Sequence, residues 1–420
     1  MSAGTSAPVE KAPRYAWYVL AVLALVYVFN FLDRTLIYIL FAPIKKEMAL
    51  SDLQLALLGA TSFVIFYTLL GIPFGRLADR VNRKNLIAGG LAVWSLFSGL
   101  TGFATGFWGI FLCRVMVGVG EATLGPAALS LIADYFPLRM RATVQAIFSA
   151  GIPLGAGLAF FLGGAIGQEL GWRWAFWLLG FPGVALAAVV FFLREPERGT
   201  TEAPRTAPPP RGWKTLIRSA ALRYHHFGYG LFAGAGYSLS VWLPLFLNRV
   251  HGMQLAAIGV FAGVTAIVGG VPGTIFGGWV ADKFRARGRG GRMRFGALAA
   301  LACAPLWLVL IYSPTLGPLL VANFVLLAFA LAWLGPAAAD VHEIAGPALR
   351  GLAVGIYFFT VNLLGNGLVP PVIGRLNDLV GAAASPERMR LSLLLCPALC
   401  LGSALLLWLG SRRLERGETA

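Results

Sequence analysis

Twelve apolar runs follow one another along the chain, and each is about as long as a helix that crosses a bilayer. They cover residues 17–39, 53–77, 86–103, 108–133, 142–166, 174–193, 224–247, 256–280, 295–312, 318–339, 352–373 and 391–409. The runs do not alternate between apolar and polar residues, so they predict helices rather than barrel strands. Of the 420 residues, 58% are hydrophobic and only 12% are charged, against about a quarter charged in soluble domains. The chain is therefore predicted to be an all-α integral membrane protein.

Residues 194–223 separate the sixth run from the seventh and are polar, basic and rich in proline. This composition predicts a linker between two six-helix halves, residues 1–193 and 224–420. A repeat supports the division, because the pattern G-x-x-A-D-[RK] occurs at residues 75–80, after the second run, and again at 278–283, after the eighth. A recurrence six runs later predicts two pseudo-symmetric halves that arose by duplication.

The net charge of +16 comes from lysines and arginines in the segments between the runs. If both termini are cytoplasmic, the inner segments hold 25 of these residues and the outer segments hold 7. This asymmetry predicts a multi-pass protein with both termini in the cytoplasm. It also explains the basic charge as topology, so no nucleic-acid partner is expected.

Four charged residues lie well inside apolar runs: Asp33 and Arg34 in the first, Arg114 and Glu121 in the fourth. Charge inside hydrocarbon costs several kcal/mol unless it faces a wet cavity or a partner. At a rise of 1.5 Å per residue, Asp33 and Arg114 each lie about 9 Å from the outer surface, which predicts that they pair. Glu121 lies about 20 Å deep, near the midplane. Arg34 points about 100° away from Asp33 and is not expected to reach Glu121.

These four residues are candidates for proton coupling in a cavity of the N-terminal half. Glu121 is the first candidate for the group that binds and releases the proton, because a carboxylate near the midplane is poorly solvated. The alternative is a static ion pair that only holds the first and fourth helices together. Either role remains open for Arg34 and Arg114.

Several short motifs resemble a known family. The sequence GRLADRVNRK at residues 75–84 is similar to the loop signature of the major facilitator superfamily, and residues 278–283 are a weaker copy. Within that superfamily, the chain resembles the Spinster-type transporters. The resemblance rests on NFLDR at 30–34, DRVNRK at 79–84, GVGEA at 118–122, LIAD at 131–134 and REP at 194–196.

The resemblance implies the major facilitator fold and a monomeric, proton-linked exporter of lysophospholipids or phosphorylated sphingoid lipids. The brevity of the chain and its Ala and Gly content suggest a bacterial member, which would lie in the inner membrane. A carrier of a small organic anion or drug-like solute is the alternative. Anion–cation symporters of the same superfamily also carry an Asp-Arg pair in the first helix.

In the family, the loop after the second helix braces the cytoplasmic ends of helices and acts as a gate. Carried over to this sequence, the gating candidates are Gly75, Asp79, Arg80, Arg83, Lys84, Asp134, Arg139 and, in the second copy, Asp282. Simple positive-inside topology is the alternative. It explains the basic residues but not Asp79 or Gly75.

The C-terminal half has no acidic residue deep within its predicted helices, so proton coupling is expected in the N-terminal half. A largely apolar, aromatic wall would suit an amphipathic substrate with a charged head and an acyl tail. The candidates for the substrate cavity are Phe29, Asn30, Tyr237, Trp242, Trp333, Tyr357 and Asn362. Packing against lipid or other helices is the alternative for each aromatic residue. His225 and His226 are expected to anchor the seventh helix at the membrane edge, with a proton relay as the alternative.

The sequence contains no H-x-x-x-H set, no G-x-S-x-G and no G-x-x-x-x-G-K-[ST] loop. An enzyme or an ATP-driven pump is therefore not expected, and no residue is assigned as catalytic. The four cysteines lie in apolar runs without metal-site spacing, so no metal and no cofactor is expected apart from a coupling proton. A channel would have no use for a duplicated gating loop.

Overall fold

The computed structural model describes residues 13–137, 140–197, 216 and 218–416 of the chain. Within these residues, twelve helices are long and apolar enough to cross a membrane, which confirms the predicted architecture. Spans 1 to 12 comprise Arg14–Ile39, Asp52–Ala78, Arg83–Phe103, Phe107–Tyr135, Thr143–Glu169, Trp172–Phe191, Ala220–His251, Leu255–Arg285, Gly291–Tyr312, Leu316–Ala345, Leu352–Leu379 and Pro386–Glu415. We call the end of the bundle that holds residues 14 and 415 the terminal side, and the opposite end the far side.

The predicted linker falls largely on residues 198–215 and 217, which lie outside the described residues. Span 7 begins at Ala220, four residues before the predicted start of the second half, because Ser219 caps the helix through Leu222. On the far side, a short helix at Phe41–Met48 joins spans 1 and 2. Span 2 then starts at a capping box, in which Ser51 and Gln54 bind each other's backbone N–H groups.

Two spans contain a π-helical segment, which is uncommon and often marks a functional site. The segments are Leu57–Thr61 in span 2 and Asn362–Leu368 in span 11. They meet across the two halves, since the hydroxyl of Thr61 donates to the carbonyl of Gly367 at 2.9 Å.

The two halves pack closely together where spans 5 and 8 cross. A β-carbon at Gly164 would lie 2.6 Å from the carbonyl oxygen of Leu255, and one at Gly259 would lie 2.4 Å from that of Phe160. Only glycine fits at either position, so these two helices pack through their backbones.

The apolar core also shows where the halves join. One cluster of buried side chains continues from Leu36 and Leu58 of the N-terminal half into Trp242 and Ile373 of the C-terminal half. The cluster around Leu131 on the terminal side of the N-terminal half is separate from it. The halves are therefore fused by apolar packing toward the far side.

Candidate functional site

A buried ion pair joins spans 1 and 4. Arg34 donates to Oε2 of Glu121 through Nη2 at 2.7 Å and through Nε at 3.1 Å. The side chain of Glu121 is fully buried, whereas that of Arg34 is 14% exposed because it reaches the central cavity. Asn30 lies beside the Glu121 carboxylate, one helical turn before Arg34. Oε1 of Glu121 has no hydrogen-bond partner among the described residues.

The prediction that Arg34 cannot reach Glu121 was wrong, and so was the predicted side-chain pair of Asp33 with Arg114. Helical side chains lean toward the N-terminus of their helix, and spans 1 and 4 are antiparallel. Arg34 and Glu121 therefore lean toward each other across a difference in depth. Asp33 and Arg114 start at the same depth but lean apart.

Asp33 and Arg114 instead bind other groups. The hydroxyl of Ser98 in span 3 donates to Asp33 at 2.6 Å. Arg114 donates to the backbone carbonyls of Asp33 at 3.0 Å and Arg34 at 3.1 Å, using lone pairs that the helix leaves free. Both charged side chains are completely buried, and no described side chain of opposite charge lies within 4.0 Å of either. Arg114 thus clamps the backbone that carries Asp33 and Arg34.

Three aromatic rings surround Arg34. Its guanidinium carbon lies 4.4 Å from the ring centre of Phe63, 4.7 Å from that of Phe31 and 4.8 Å from that of Tyr67. Arg114 lies 5.7 Å from the same Phe63 ring. Cation–π attraction stabilises a desolvated guanidinium by about 2 kcal/mol in favourable cases. The rings therefore hold Arg34 at the cavity wall in a fixed direction.

The central cavity has a volume of about 310 Å³ and lies between the two halves. Spans 1, 2 and 5 line it on one side, and spans 7, 8, 10 and 11 line it on the other. Four of the predicted cavity residues are part of its lining, namely Tyr237, Trp333, Tyr357 and Asn362. Arg34 is the one charged side chain among the described residues that form the wall.

Three predicted cavity residues lie elsewhere. Trp242 is completely buried away from the cavity, where its indole N–H donates to the carbonyl of Pro370 at 3.2 Å and its ring packs near Phe41. Asn30 is buried beside Glu121, behind the wall, and Phe29 is not part of the wall either. The sequence alone could not show which of these residues line the cavity. Neighbouring positions on one helix face different directions, and the rotation of each helix about its own axis is not visible in the sequence.

On the far side, a cluster of charges closes the gap between the halves. Asp52 at the start of span 2 accepts two hydrogen bonds from Arg249 of span 7, at 2.8 and 3.0 Å, and also pairs with Lys45. Asp378 at the end of span 11 accepts the backbone N–H groups of Asp52 at 2.8 Å and Leu53 at 3.0 Å. A carboxylate at a helix N-terminus is favourable because it neutralises the unpaired N–H groups and the helix dipole. We call Asp52, Arg249 and Asp378 the far-side latch.

Sequence reasoning missed the far-side latch, although a signal for it exists. The order G-R-L-x-D at residues 75–79, which ends span 2, recurs at residues 374–378, which end span 11. The first copy ends on the terminal side and the second on the far side. Asp378 thus caps the start of span 2 from a position equivalent to that of Asp79.

The candidate gating residues lie on the terminal side. Arg83 is buried and binds Asp134 of span 4 at 2.5 Å and Glu195 after span 6 at 2.6 Å, while Lys84 donates to the carbonyl of Phe191 at 2.8 Å. Glu195 had not been predicted as part of this cluster. These contacts all remain within the N-terminal half, where they hold spans 3, 4 and 6 together.

The other gating candidates are spread over the same side. Asp79 and Arg80 are exposed at the end of span 2, and a β-carbon at Gly75 would lie 3.8 Å from the ring of Pro126 in span 4. Asp282 pairs with Arg292 at 2.9 Å within the C-terminal half. Arg139 lies outside the described residues.

Two expectations for the C-terminal half were wrong. His225 and His226 are buried rather than at the membrane edge, because His225 binds the carbonyl of Ala337 at 3.1 Å and both rings pack on Tyr357. Span 10 also holds a buried acidic residue, Asp340, 1% exposed and 3.6 Å from Arg292. The predicted span ended at residue 339 and so excluded it.

Two six-helix halves that enclose a cavity, with one partner of a buried ion pair in its wall, are the arrangement of a membrane transporter. The chain belongs to the Major Facilitator Superfamily, whose family model matches residues 23–370. It is 31% identical to an MFS-type efflux pump of Mycolicibacterium smegmatis over 411 residues, which are 97% of this chain and 95% of that protein. It is 35% identical to protein spinster homolog 1 of Homo sapiens over 243 residues, 55% of this chain and 46% of that protein.

Solved structures agree with the Spinster resemblance. A bacterial homolog of the human lysosomal transporter Spinster, in an inward-facing and unoccupied conformation, superposes with a TM-score of 0.87 at 26% identity. The match covers 98% of this chain and 99% of that structure. A D-xylose-proton symporter shares the fold, with a TM-score of 0.70 at 18% identity. The chain is therefore a Spinster-like member of the superfamily.

Proposed function

We propose that this chain is a proton-coupled secondary transporter that moves an amphipathic lipid, such as a lysophospholipid or a sphingoid phosphate, by alternating access. The observation that carries this proposal is the Arg34–Glu121 pair. It combines a cation at the cavity wall with a buried carboxylate behind it. The rest of the wall is largely apolar and aromatic, which suits a single acyl chain.

The ion pair suggests how a proton and a substrate are linked. Asp33, Arg34, Arg114 and Glu121 carry a formal net charge of zero when all four are ionised. A proton on Glu121 removes the charge that holds Arg34, so the guanidinium becomes available to an anionic head group. Loss of the proton restores the pair and displaces the anion. Proton and anion thus favour the same state of the cluster, which provides the differential interaction that coupling requires.

Alternating access requires that the cavity open to one side at a time. The asymmetry of lysine and arginine in the sequence supports a cytoplasmic position for the terminal side, and an inner membrane is the compartment we propose. The far-side latch and the apolar cluster join the halves on the opposite side. We therefore interpret the conformation as inward-facing, and the solved relative described as inward-facing supports this interpretation.

Transport into proteoliposomes tests the proposal. A fluorescent single-chain phospholipid should accumulate faster under an imposed pH gradient than without one, and Glu121→Gln should lose this acceleration. Binding of the lipid by Glu121→Gln, measured in detergent, should persist because Arg34 remains. If Glu121→Gln responds to the gradient as the parent does, the proton is carried elsewhere, and Asp33 becomes the candidate.

A small organic anion or drug-like solute is the second candidate substrate. The name of the Mycolicibacterium smegmatis relative, an efflux pump, favours it. The two substrates are separated by competition. A short-chain phosphate without an acyl tail that competes as well as the lipid would favour the solute.

A further inference from the structure

The cavity wall opposite Arg34 contains two buried amide side chains. Asn323 of span 10 is 1% exposed and Asn366 of span 11 is 3% exposed. Both line the cavity, and the Oδ1 atom of each has no hydrogen-bond partner among the described residues. A buried polar atom without a partner destabilises a protein, so two such atoms on one cavity wall indicate a ligand.

Neighbouring groups do not satisfy the amide of Asn323. Its Nδ2 atom donates to the hydroxyl oxygen of Thr265 at 3.4 Å. The Thr265 hydroxyl in turn donates to carbonyls of its own helix, at 2.9 Å for Phe261 and 3.1 Å for Ala262. Thr265 therefore has no hydrogen left to offer the amide oxygen, which remains an acceptor without a donor.

Asn366 occupies the π-helical segment of span 11, where the backbone departs from regular geometry. The same segment contains Asn362, which also lines the cavity but has a partner, since its Nδ2 atom donates to the carbonyl of Phe358 at 2.8 Å. Of the two amides of this segment, Asn366 is the one whose oxygen is both buried and without a partner among the described residues.

We propose that Asn323 and Asn366 form a second polar subsite, which binds a hydroxyl group on the same substrate whose anionic group binds Arg34. An acceptor needs an O–H or N–H donor. No acidic side chain lies among the described residues of the wall, so an ammonium group would lack a counter-ion there and a neutral hydroxyl fits better. At 1.5 Å per residue, Asn323 lies about 10 Å from the far end of its span and Arg34 about 8 Å, so the two face the cavity at similar depth.

This inference rests on the proposed function and narrows it. A substrate with an anion and a nearby hydroxyl describes a lysophospholipid or sphingoid phosphate better than a fatty acid. The subsite would bind an analogue that lacks the hydroxyl more weakly, because the amide oxygen that accepts the hydroxyl hydrogen then stays unpaired in the complex.

Binding of two matched lipids tests the subsite. The probes are an oleoyl glycerol phosphate with its free hydroxyl and the oleoyl propanediol phosphate that lacks it, both titrated by tryptophan quenching in detergent. The parent protein should prefer the hydroxyl lipid by about three- to tenfold, the effect of one or two hydrogen bonds. Asn323→Leu and Asn366→Leu should each reduce this preference, and the double variant should abolish it.

Asn362→Leu is the matched control, because it also removes an amide from the wall. It should change the affinities for both lipids by the same factor and leave their ratio intact. The leucine variants at 323 and 366 should also keep or raise the Tm of the ligand-free protein, because they remove an unsatisfied polar group of similar size. Equal affinities of the parent for the two lipids would overturn the subsite alone. Binding of neither lipid would overturn the proposed substrate class together with the subsite.

Discussion

Arg34 and Glu121 form an ion pair across spans 1 and 4 that seals the acidic residue away from the cavity. The guanidinium forms the wall, and the carboxylate lies behind it with 1% exposure. Glu121 can therefore bind a proton in one of two ways. Either Arg34 first moves away from Oε2, or the proton reaches the unpartnered oxygen Oε1 through the protein interior. By either route, protonation of Glu121 removes the charge that attracts Arg34, so the position of Arg34 depends on whether Glu121 is protonated.

The first prediction is that Arg34→Gln and Glu121→Gln are strongly coupled. Removal of one partner leaves the other buried and unpaired, which costs about 3 kcal/mol. Each single variant should therefore lower the Tm in detergent, while the double variant should recover most of the loss. Strictly additive losses of Tm would contradict an energetically significant pair.

The second prediction concerns Arg114. Arg114→Lys keeps the charge but replaces the two nitrogens that bind the carbonyls of Asp33 and Arg34 with a single one, so it does not reproduce both bonds at their present geometry. The Tm should fall by several degrees, and substrate affinity should fall because the backbone beneath Arg34 loosens. Arg375→Lys, at an exposed arginine of span 11, is the matched control and should leave both quantities unchanged. A normal Tm for Arg114→Lys would show that charge alone, and not the clamp, is required.

The third prediction is that Asp378→Asn and Asp79→Asn shift the two halves in opposite directions. Asp378 joins span 11 to span 2 on the far side, so its loss should favour opening there, by roughly ten- to 150-fold for a loss of about 1.5–3 kcal/mol. Asp79 holds the equivalent position on the terminal side, so its loss should favour opening on that side. Spin labels at Lys46 and Ala384, in a protein without its native cysteines, report the far-side distance.

The mean distance between the two labels should be longer in Asp378→Asn than in the parent protein. It should be shorter in Asp79→Asn, because fewer molecules are then open on the far side. Arg249→Gln should resemble Asp378→Asn, because it removes the other contact of the far-side latch. Shifts of the same sign in the two aspartate variants would refute the equivalence of the repeated G-R-L-x-D sequences.

The fourth prediction is a pH dependence of stability at Glu47, which lies between spans 1 and 2. Hydrogen bonds from Trp172 at 2.7 Å and Arg173 at 2.5 Å lower the pKa of this carboxyl group below its usual value. A lowered pKa stabilises the folded state above the unfolded value of about 4.3, and this contribution disappears as the pH falls through the folded pKa. Glu47→Gln should therefore lower the Tm at pH 7, and the difference from the parent should shrink as the pH drops below 4. A difference that is independent of pH would rule out the charge of Glu47 as its cause.

The twelve spans and the intramembrane charges could be predicted from the sequence because both follow from the cost of polar groups in hydrocarbon. The partners of those charges could not. Depth along a helix matched Asp33 with Arg114, but the lean of side chains toward each N-terminus decides which pairs meet. That lean is a rule of helix geometry, and it gives the Arg34–Glu121 pair once the antiparallel order of spans 1 and 4 is known.

Residues that act across the halves were harder to predict. Asp52 and Arg249 are far apart in sequence, and nothing local to either shows that they meet. Asn323 and Asn366 were not distinguished because an asparagine in an apolar run is ambiguous until its hydrogen bonds are known. Asp378 could have been predicted, because the repeat of G-R-L-x-D that contains it is visible in the sequence without any structure.

The contact between spans 5 and 8 is built differently from the wall of the cavity. Gly164 and Gly259 bring main-chain atoms of the two halves together, so the contact at these two positions does not depend on a side-chain rotamer. In the rocking motion proposed above, these two positions would form a pivot made of backbone, whereas the chemistry of the cavity depends on side chains. Substitutions in the cavity wall that change the substrate preference would therefore leave the contact at Gly164 and Gly259 intact.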